Sequence, residues 1–283
     1  MKHLIVLILL SLTYYAQSTI VLDTLFINKD TATVTGFNYQ FCVFNDSSDF
    51  KLVNHTFEIS SNDTLQLHII NNDTLDHTFQ IDGVLETANN VNALSFGDFQ
   101  IVLPSDGAFR YYSSVPYGHL LGASGVIIKG FQNYPVYCWN MFDQSDTLSY
   151  EIAETTTGST PLDYMPNLFS INLKTHPSLE FDTLAKIVQQ VGDTIYIATI
   201  NSGQMEHTLH YHGFHVTIID ASVNTIMNNW KKDSYPLKKG EVVFVQLVAD
   251  QPGIYPVHEH NLINVTNSGV YPGGMLNLIE IQP

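Results

Sequence analysis

Six of the twelve histidines fall in two short stretches of the C-terminal half. The first reads His207-Thr208-Leu209-His210-Tyr211-His212-Gly213-Phe214-His215, the second Val257-His258-Glu259-His260. In an extended strand, residues i and i+2 share a face. His210 and His212 therefore project together, as do His258 and His260. If the two strands are neighbours, four imidazoles converge on one ion or an ion pair, and neutral imidazole is a good ligand for copper, zinc and iron. The same alternation turns Glu259 to the opposite side, toward His207, where the two could form a second, smaller site suited to a harder ion than Cu(I). A salt bridge or hydrogen bond is the plainer role for that pair. His55, His68, His119, His176 and His215 show no such pairing and are expected to be structural.

The elements that must carry these residues are legible as a repeat. Residues 61–83 (SNDTLQLHIINNDTLDHTFQIDG) align without a gap to residues 191–213 (VGDTIYIATINSGQMEHTLHYHG) at an offset of 130 residues. Asp63 meets Asp193, Ile70-Asn71 meets Ile200-Asn201, His77-Thr78 meets His207-Thr208, and Gly83 meets Gly213. Each copy reads as an alternating strand, an Asn-centred turn and a second alternating strand. A second echo matches Gly107–Tyr111 and Gly122–Gly125 with Gly253–Val257 and Gly273–Met275. The pattern predicts two copies of one β-sandwich. The first copy lacks the histidine face: Gln80 and Asp82 stand opposite His210 and His212, Tyr112 and Ser114 opposite His258 and His260. Ser113 stands opposite Glu259 and Ala123 opposite Met275, and only His77 is shared. Residues 151–164 have linker composition, which puts the domains at 19–150 and 165–283.

Composition supports an all-β chain able to bury a core: 45% hydrophobic and 12% aromatic over 283 residues. With 11 Lys plus Arg against 27 Asp plus Glu, the net charge is −16, so there is no cationic footprint for nucleic acid. Residues 1–18 read as a secretory signal, with Lys2 and His3 ahead of the apolar run Leu4 to Leu12 and small residues at Ala16-Gln17-Ser18. That run is too short to span a bilayer, and no later one approaches the required length. The expected location is secreted or periplasmic. In that oxidising setting the even cysteine count predicts a Cys42–Cys138 disulfide, with two buried free thiols as the alternative.

The segment 207–213 resembles the His-x-x-His-x-His-Gly motif of multicopper oxidases. Val257-His258-Glu259-His260, followed by Gly273-Gly274-Met275, is similar to their final His-Cys-His and Gly-Met motif, and residues 164–172 (YMPNLFSIN) look like the opening of a domain in that family. The resemblance covers most of the chain after residue 18. It implies two tandem cupredoxin-like Greek-key β-sandwich domains and copper as the cofactor. By it, His210, His212, His258 and His260 match ligands of the type 2/type 3 cluster, and His207 and Met275 match the type 1 centre. Two departures stand out. Glu259 occupies the place of the type 1 cysteine, and Asn264 that of a later histidine, so the copper–thiolate bond that gives a type 1 site its character is missing.

The expected function is therefore an exported, multicopper-oxidase-related copper-binding protein. It could act as an oxidoreductase on a small-molecule or metal-ion substrate, taking electrons directly from it. Copper buffering without turnover, or a purely structural role, is the alternative. Two-domain relatives carry clusters between subunits, which implies a homotrimer. A metal-dependent hydrolase is disfavoured, because no carboxylate adjoins the histidine pairs as a general base.

Overall fold

A computed structural model describes residues 18–153 and 164–283. Residues 1–17 of the expected signal and 154–163 of the expected linker lie outside the described residues. No helix among the described residues is long and apolar enough to cross a membrane.

The chain is all-β, and the repeat seen in the sequence is a repeat of topology. In the first sandwich, a four-stranded sheet runs Phe37–Asn45, Ile20–Val34, Thr64–Asn71, Phe96–Ile101. Its counterpart in the second begins Leu168–Ile171, Val136–Gln144, Thr194–Asn201, Val242–Val248 and continues to Val216–Ala221 and Lys231–Lys232. The facing five-stranded sheets correspond strand for strand: Thr56–Ile59, Ser124–Lys129, Gly107–Tyr112, His77–Ile81, Leu85–Val91 against Ile187–Gln190, Leu276–Gln282, Gly253–Glu259, His207–Tyr211, Ser234–Leu237. Period-two patterning makes these elements. Leu65, Leu67 and Ile69 turn inward along one strand of the first domain, and Leu209 and Tyr211 along a strand of the second, while the residues between them stay nearer solvent.

The sheets change hands earlier than residues 151–164. Val136–Gln144 pairs in parallel with Thr194–Asn201, as Ile20–Val34 does with Thr64–Asn71, so it is the opening strand of the second sandwich. The helix Asp146–Ala153 then returns to the first sandwich, where Ser149 Oγ accepts from Gln40 N (3.1 Å) and Lys29 Nζ donates to the Ala153 carbonyl (3.0 Å).

Each sandwich has its own apolar core, and two further clusters join them. One gathers Ala108, Val126 and Ile128 with Tyr196, Ile200 and Phe244, and the other Tyr39, Phe41 and Val43 with Phe142, Leu168 and Leu173. The expected Cys42–Cys138 disulfide is absent. Both cysteines are free and buried, Cys42 in the core of the first sandwich and Cys138 in the seam between domains. Burial pushes the Cys138 thiol up to about 12 and the Cys42 thiol higher still, so neither is a nucleophile at neutral pH.

Trp139 anchors the transferred strand. It is fully buried, stacks on Tyr211 and donates its indole N–H to the Ala185 carbonyl at 2.8 Å. Trp139→Ala is expected to lower the unfolding free energy by about 3–5 kcal/mol, read from urea denaturation. Both thiols should react with Ellman's reagent in denaturant without prior reduction.

Candidate metal centre

The two histidine stretches are neighbouring antiparallel strands, and the register sets His210 opposite His258, Leu209 opposite Glu259 and Tyr211 opposite Val257. The inward positions are closed, with Leu209, Tyr211, Val257 and Glu259 all buried, and the outward positions carry the imidazoles. His212 and His260 continue the same face just beyond the strand ends. Gly213 follows with φ 76°, a left-handed conformation that turns the chain after His212 and would strain any side chain.

The four rings come together. Centroid separations from His210 are 4.8 Å to His212, 5.6 Å to His258 and 5.8 Å to His260, and His212 and His258 are 5.1 Å apart. Each ring's orientation has a cause. His258 Nδ1–H donates to the Glu259 carbonyl at 2.8 Å, which leaves the Nε2 lone pair outward. That Nε2 lies 3.0 Å from His212 Nε2. His210 Nδ1 is held by Ser234 Oγ at 2.8 Å, from the strand on the other side. Desolvation, then the neighbouring His210 and His258, lowers the pKa of His212 and keeps its ring neutral, as a metal ligand must be. Among the described residues no three His, Cys, Asp or Glu side chains are already drawn in tightly enough to enclose one ion. The donor chemistry nonetheless fits copper: four grouped imidazoles, one with its tautomer set by a carbonyl, and a nitrogen pair at the spacing of adjacent ligands with bonds of about 2 Å.

His207 and Glu259 take the inner side, as alternation requires, and are 1% and 3% exposed. His207 Nε2–H donates to Asp143 Oδ2 at 3.1 Å. Asp143 sits that close because residue 203 is glycine: a Cβ there would stand 1.8 Å from its Oδ2. Glu259 Oε1 accepts from Thr208 N (3.0 Å) and Oε2 from Asn261 N (2.7 Å), while burial raises its pKa. The backbone joins Asn264 and Met275 to this side: Met275 N donates to the Asn264 carbonyl (2.9 Å) and Glu259 N to that of Met275 (3.1 Å). Sequence reasoning missed Asp143 and Ser234. Neither lies in a motif, and both arrive through strand pairing rather than local spacing.

The multicopper oxidase family profile matches residues 154–271. No curated protein matches the chain. Among solved structures, the blue copper oxidase from Nitrosomonas europaea superposes with a TM-score of 0.77 at 18% identity, covering 93% of this chain and 86% of that one. The multicopper oxidase mgLAC gives 0.76 at 21% identity, with 93% and 87% covered. A copper nitrite reductase from Nitrosomonas europaea gives 0.70 at 16% identity, with 93% and 94% covered. The cupredoxin-like fold expected from the sequence is thus the fold observed.

The lowered His212 pKa has a definite sign. Protons bind the unfolded chain more tightly than the folded one at this ring, so its contribution to stability is present above the ordinary histidine value and is lost as pH falls below it. Ring C–H resonances followed by NMR should place the His212 midpoint below that of His212 in the denatured chain.

Proposed function

We propose that this chain is a member of the multicopper oxidase family and an exported copper-binding protein whose metal is held by His210, His212, His258 and His260. The observation that carries this reading is the pairing of His210 with His258, which gathers all four imidazoles on one outward face and sets His212 Nε2 3.0 Å from His258 Nε2. Export is supported by the signal-like residues 1–18 and fits a chain of net charge −16, whose field concentrates cations near its surface.

Bound copper would supply one-electron chemistry toward oxygen or another small oxidant. The protein's own part is to present the imidazoles on one face, to fix the tautomer of His258 through the Glu259 carbonyl, to orient His210 through Ser234, and to leave the face open to a small-molecule or metal-ion substrate. His212 and His260 are exposed, so such a substrate could reach the metal directly. Direct access matters because Glu259 replaces the thiolate through which electrons would otherwise be relayed. The first domain contributes no imidazole to this face, since Gln80, Asp82, Tyr112 and Ser114 hold the matching positions. An open cluster of this kind is suited to closure by a second copy, and a homotrimer is the assembly proposed. The missing relay favours one further reading, copper buffering without turnover.

Copper titration of the purified chain should give stoichiometric binding without the intense blue absorption of a thiolate-bound ion. His210→Ala should abolish tight binding, and Ser234→Ala should weaken it by about 10–100-fold. Oxygen uptake with a phenolic or metal-ion donor, lost in His210→Ala, identifies an oxidoreductase, and stoichiometric copper without uptake identifies the buffer. If the chain retains no copper, or His210→Ala binds as well as the parent, the reading fails.

A further inference from the structure

Away from the histidine face, the seam between the two sandwiches opens into a cleft of about 530 Å³. That volume lies within the roughly 300–1,000 Å³ of small-molecule sites, which favour domain interfaces. Part of the lining is apolar, since Ala108 and Val242 belong to the cluster that joins the domains. The rest carries charge of both signs: Asp82, Glu86 and Arg110 from the first domain, Asp220 and Lys239 from the second.

Two of the chain's 11 Lys plus Arg residues meet here. The Arg110 side chain is 12% exposed, and its guanidinium lies 4.1 Å over the Tyr112 ring. Its Nε–H donates to Asp82 Oδ2 at 2.8 Å, and among the described residues its two terminal amino groups make no hydrogen bond. They lie against Gly240, where a Cβ would stand 3.1 Å from Nη2 and crowd the guanidinium. Lys239 is near enough for the two cations to repel. Burial lowers the Lys239 pKa, and the Arg110 charge adds to this against the pull of Asp143. Lys239 Nζ donates to the neutral Gln204 Oε1, so Asp82 alone offsets the pair. In the repeat, the position of Arg110 is taken by Pro256 in the second domain, so this guanidinium is no part of the shared scaffold.

The negative side of the cleft is unpaired as well. Glu86 and Asp220 form no ion pair among the described residues. Opposite charges that line one cavity without meeting leave a gap between them. A ligand with a single carboxylate would gain from Arg110 and Lys239 but be repelled by Glu86 and Asp220, and a phosphate dianion more so. A ligand that carries both charges satisfies both ends.

We infer that this interdomain cleft binds a small zwitterion of the amino-acid class, its carboxylate on Arg110 and Lys239 and its ammonium toward Glu86 and Asp220. The free edge of Arg110 is the planar fork that a carboxylate takes in two parallel hydrogen bonds. The Ser222 hydroxyl also lines the cleft; its oxygen accepts from Val242 N at 2.9 Å, and its proton remains to donate. No histidine lines this cleft, so it is separate from the copper face. Because both domains supply its charges, the ligand binds only the docked pair and stabilises the seam.

Amide NMR titrations of the chain, freed of metal by a chelator, test the inference. L-Alanine and the dipeptide alanyl-alanine are the probes, and the tighter of the two separates a free amino acid from a short peptide. At least one should bind saturably and shift the Gly83 and Gly240 amides. Propionate and propylamine carry one charge each and should bind about 10-fold more weakly at matched ionic strength. Lys239→Met and Asp220→Asn, both at exposed side chains, should each weaken the zwitterion by about 10-fold with circular dichroism unchanged. Arg110→Met should abolish binding. His210→Ala should bind the zwitterion as the parent does, so this result and the copper reading fail separately. Saturable binding of neither zwitterion, or affinity unchanged in folded Lys239→Met and Arg110→Met, overturns the inference. Propionate binding as tightly as the zwitterion overturns it too and reduces the cleft to an anion site.

Discussion

The alternation of side chains along two adjacent strands is the constraint on which the chemistry of this protein rests. Pairing of His210 with His258 puts every second residue of His207–Tyr211 and Gly253–Glu259 outside and the rest inside. A slip of one residue would send the imidazoles into the core and expose Leu209 and Val257 to water. The register is held by what it buries: Leu209, Tyr211 and Val257 are packed with Trp139 and Val245 in the second core. The apolar inner face thus fixes the polar outer one. A ligand set can form there without any of its members contributing to the core.

The duplicated topology shows which parts of a sandwich can diverge. The order of the shared strands and their parallel pairings are the same in both domains, and the amides of Thr78 and Thr208 each donate to the side chain at the matched position, Ser113 Oγ in one and Glu259 Oε1 in the other. What differs is side-chain chemistry at matched positions. Gln80 and Tyr112 face each other where His210 and His258 do. A fold specified by burial period and turn placement leaves such outward positions free, which is how one copy carries a histidine face and the other does not.

Much of this was legible from the residues. The gapless match between 61–83 and 191–213 carried the fold, because Asn and Gly turn positions recur only where the backbone does. The outer imidazoles and the inward placement of Glu259 followed from period two. Three features were hidden. Val136–Gln144 reads as a strand, but nothing local says which sheet it joins, since parallel pairing links it to residues far along the chain. Asp143 reaches His207 through that same pairing, helped by the missing Cβ of Gly203, which no spacing rule detects. The cysteine count suggested a bridge because parity carries no information about distance. Cys42 and Cys138 belong to different apolar clusters.

The exchange of elements around residues 136–153 gives the two halves a shared fate. The strand opening the second sandwich precedes a helix that caps the first, so a cut within 154–163 would leave one piece bearing a surplus strand and the other an open sheet edge along Thr194–Asn201. Such pieces would be complementary: the surplus strand of one is the edge partner missing from the other, and the apolar seams on both sides would draw them back together. The protein thus has two sandwiches by architecture and one unit by assembly.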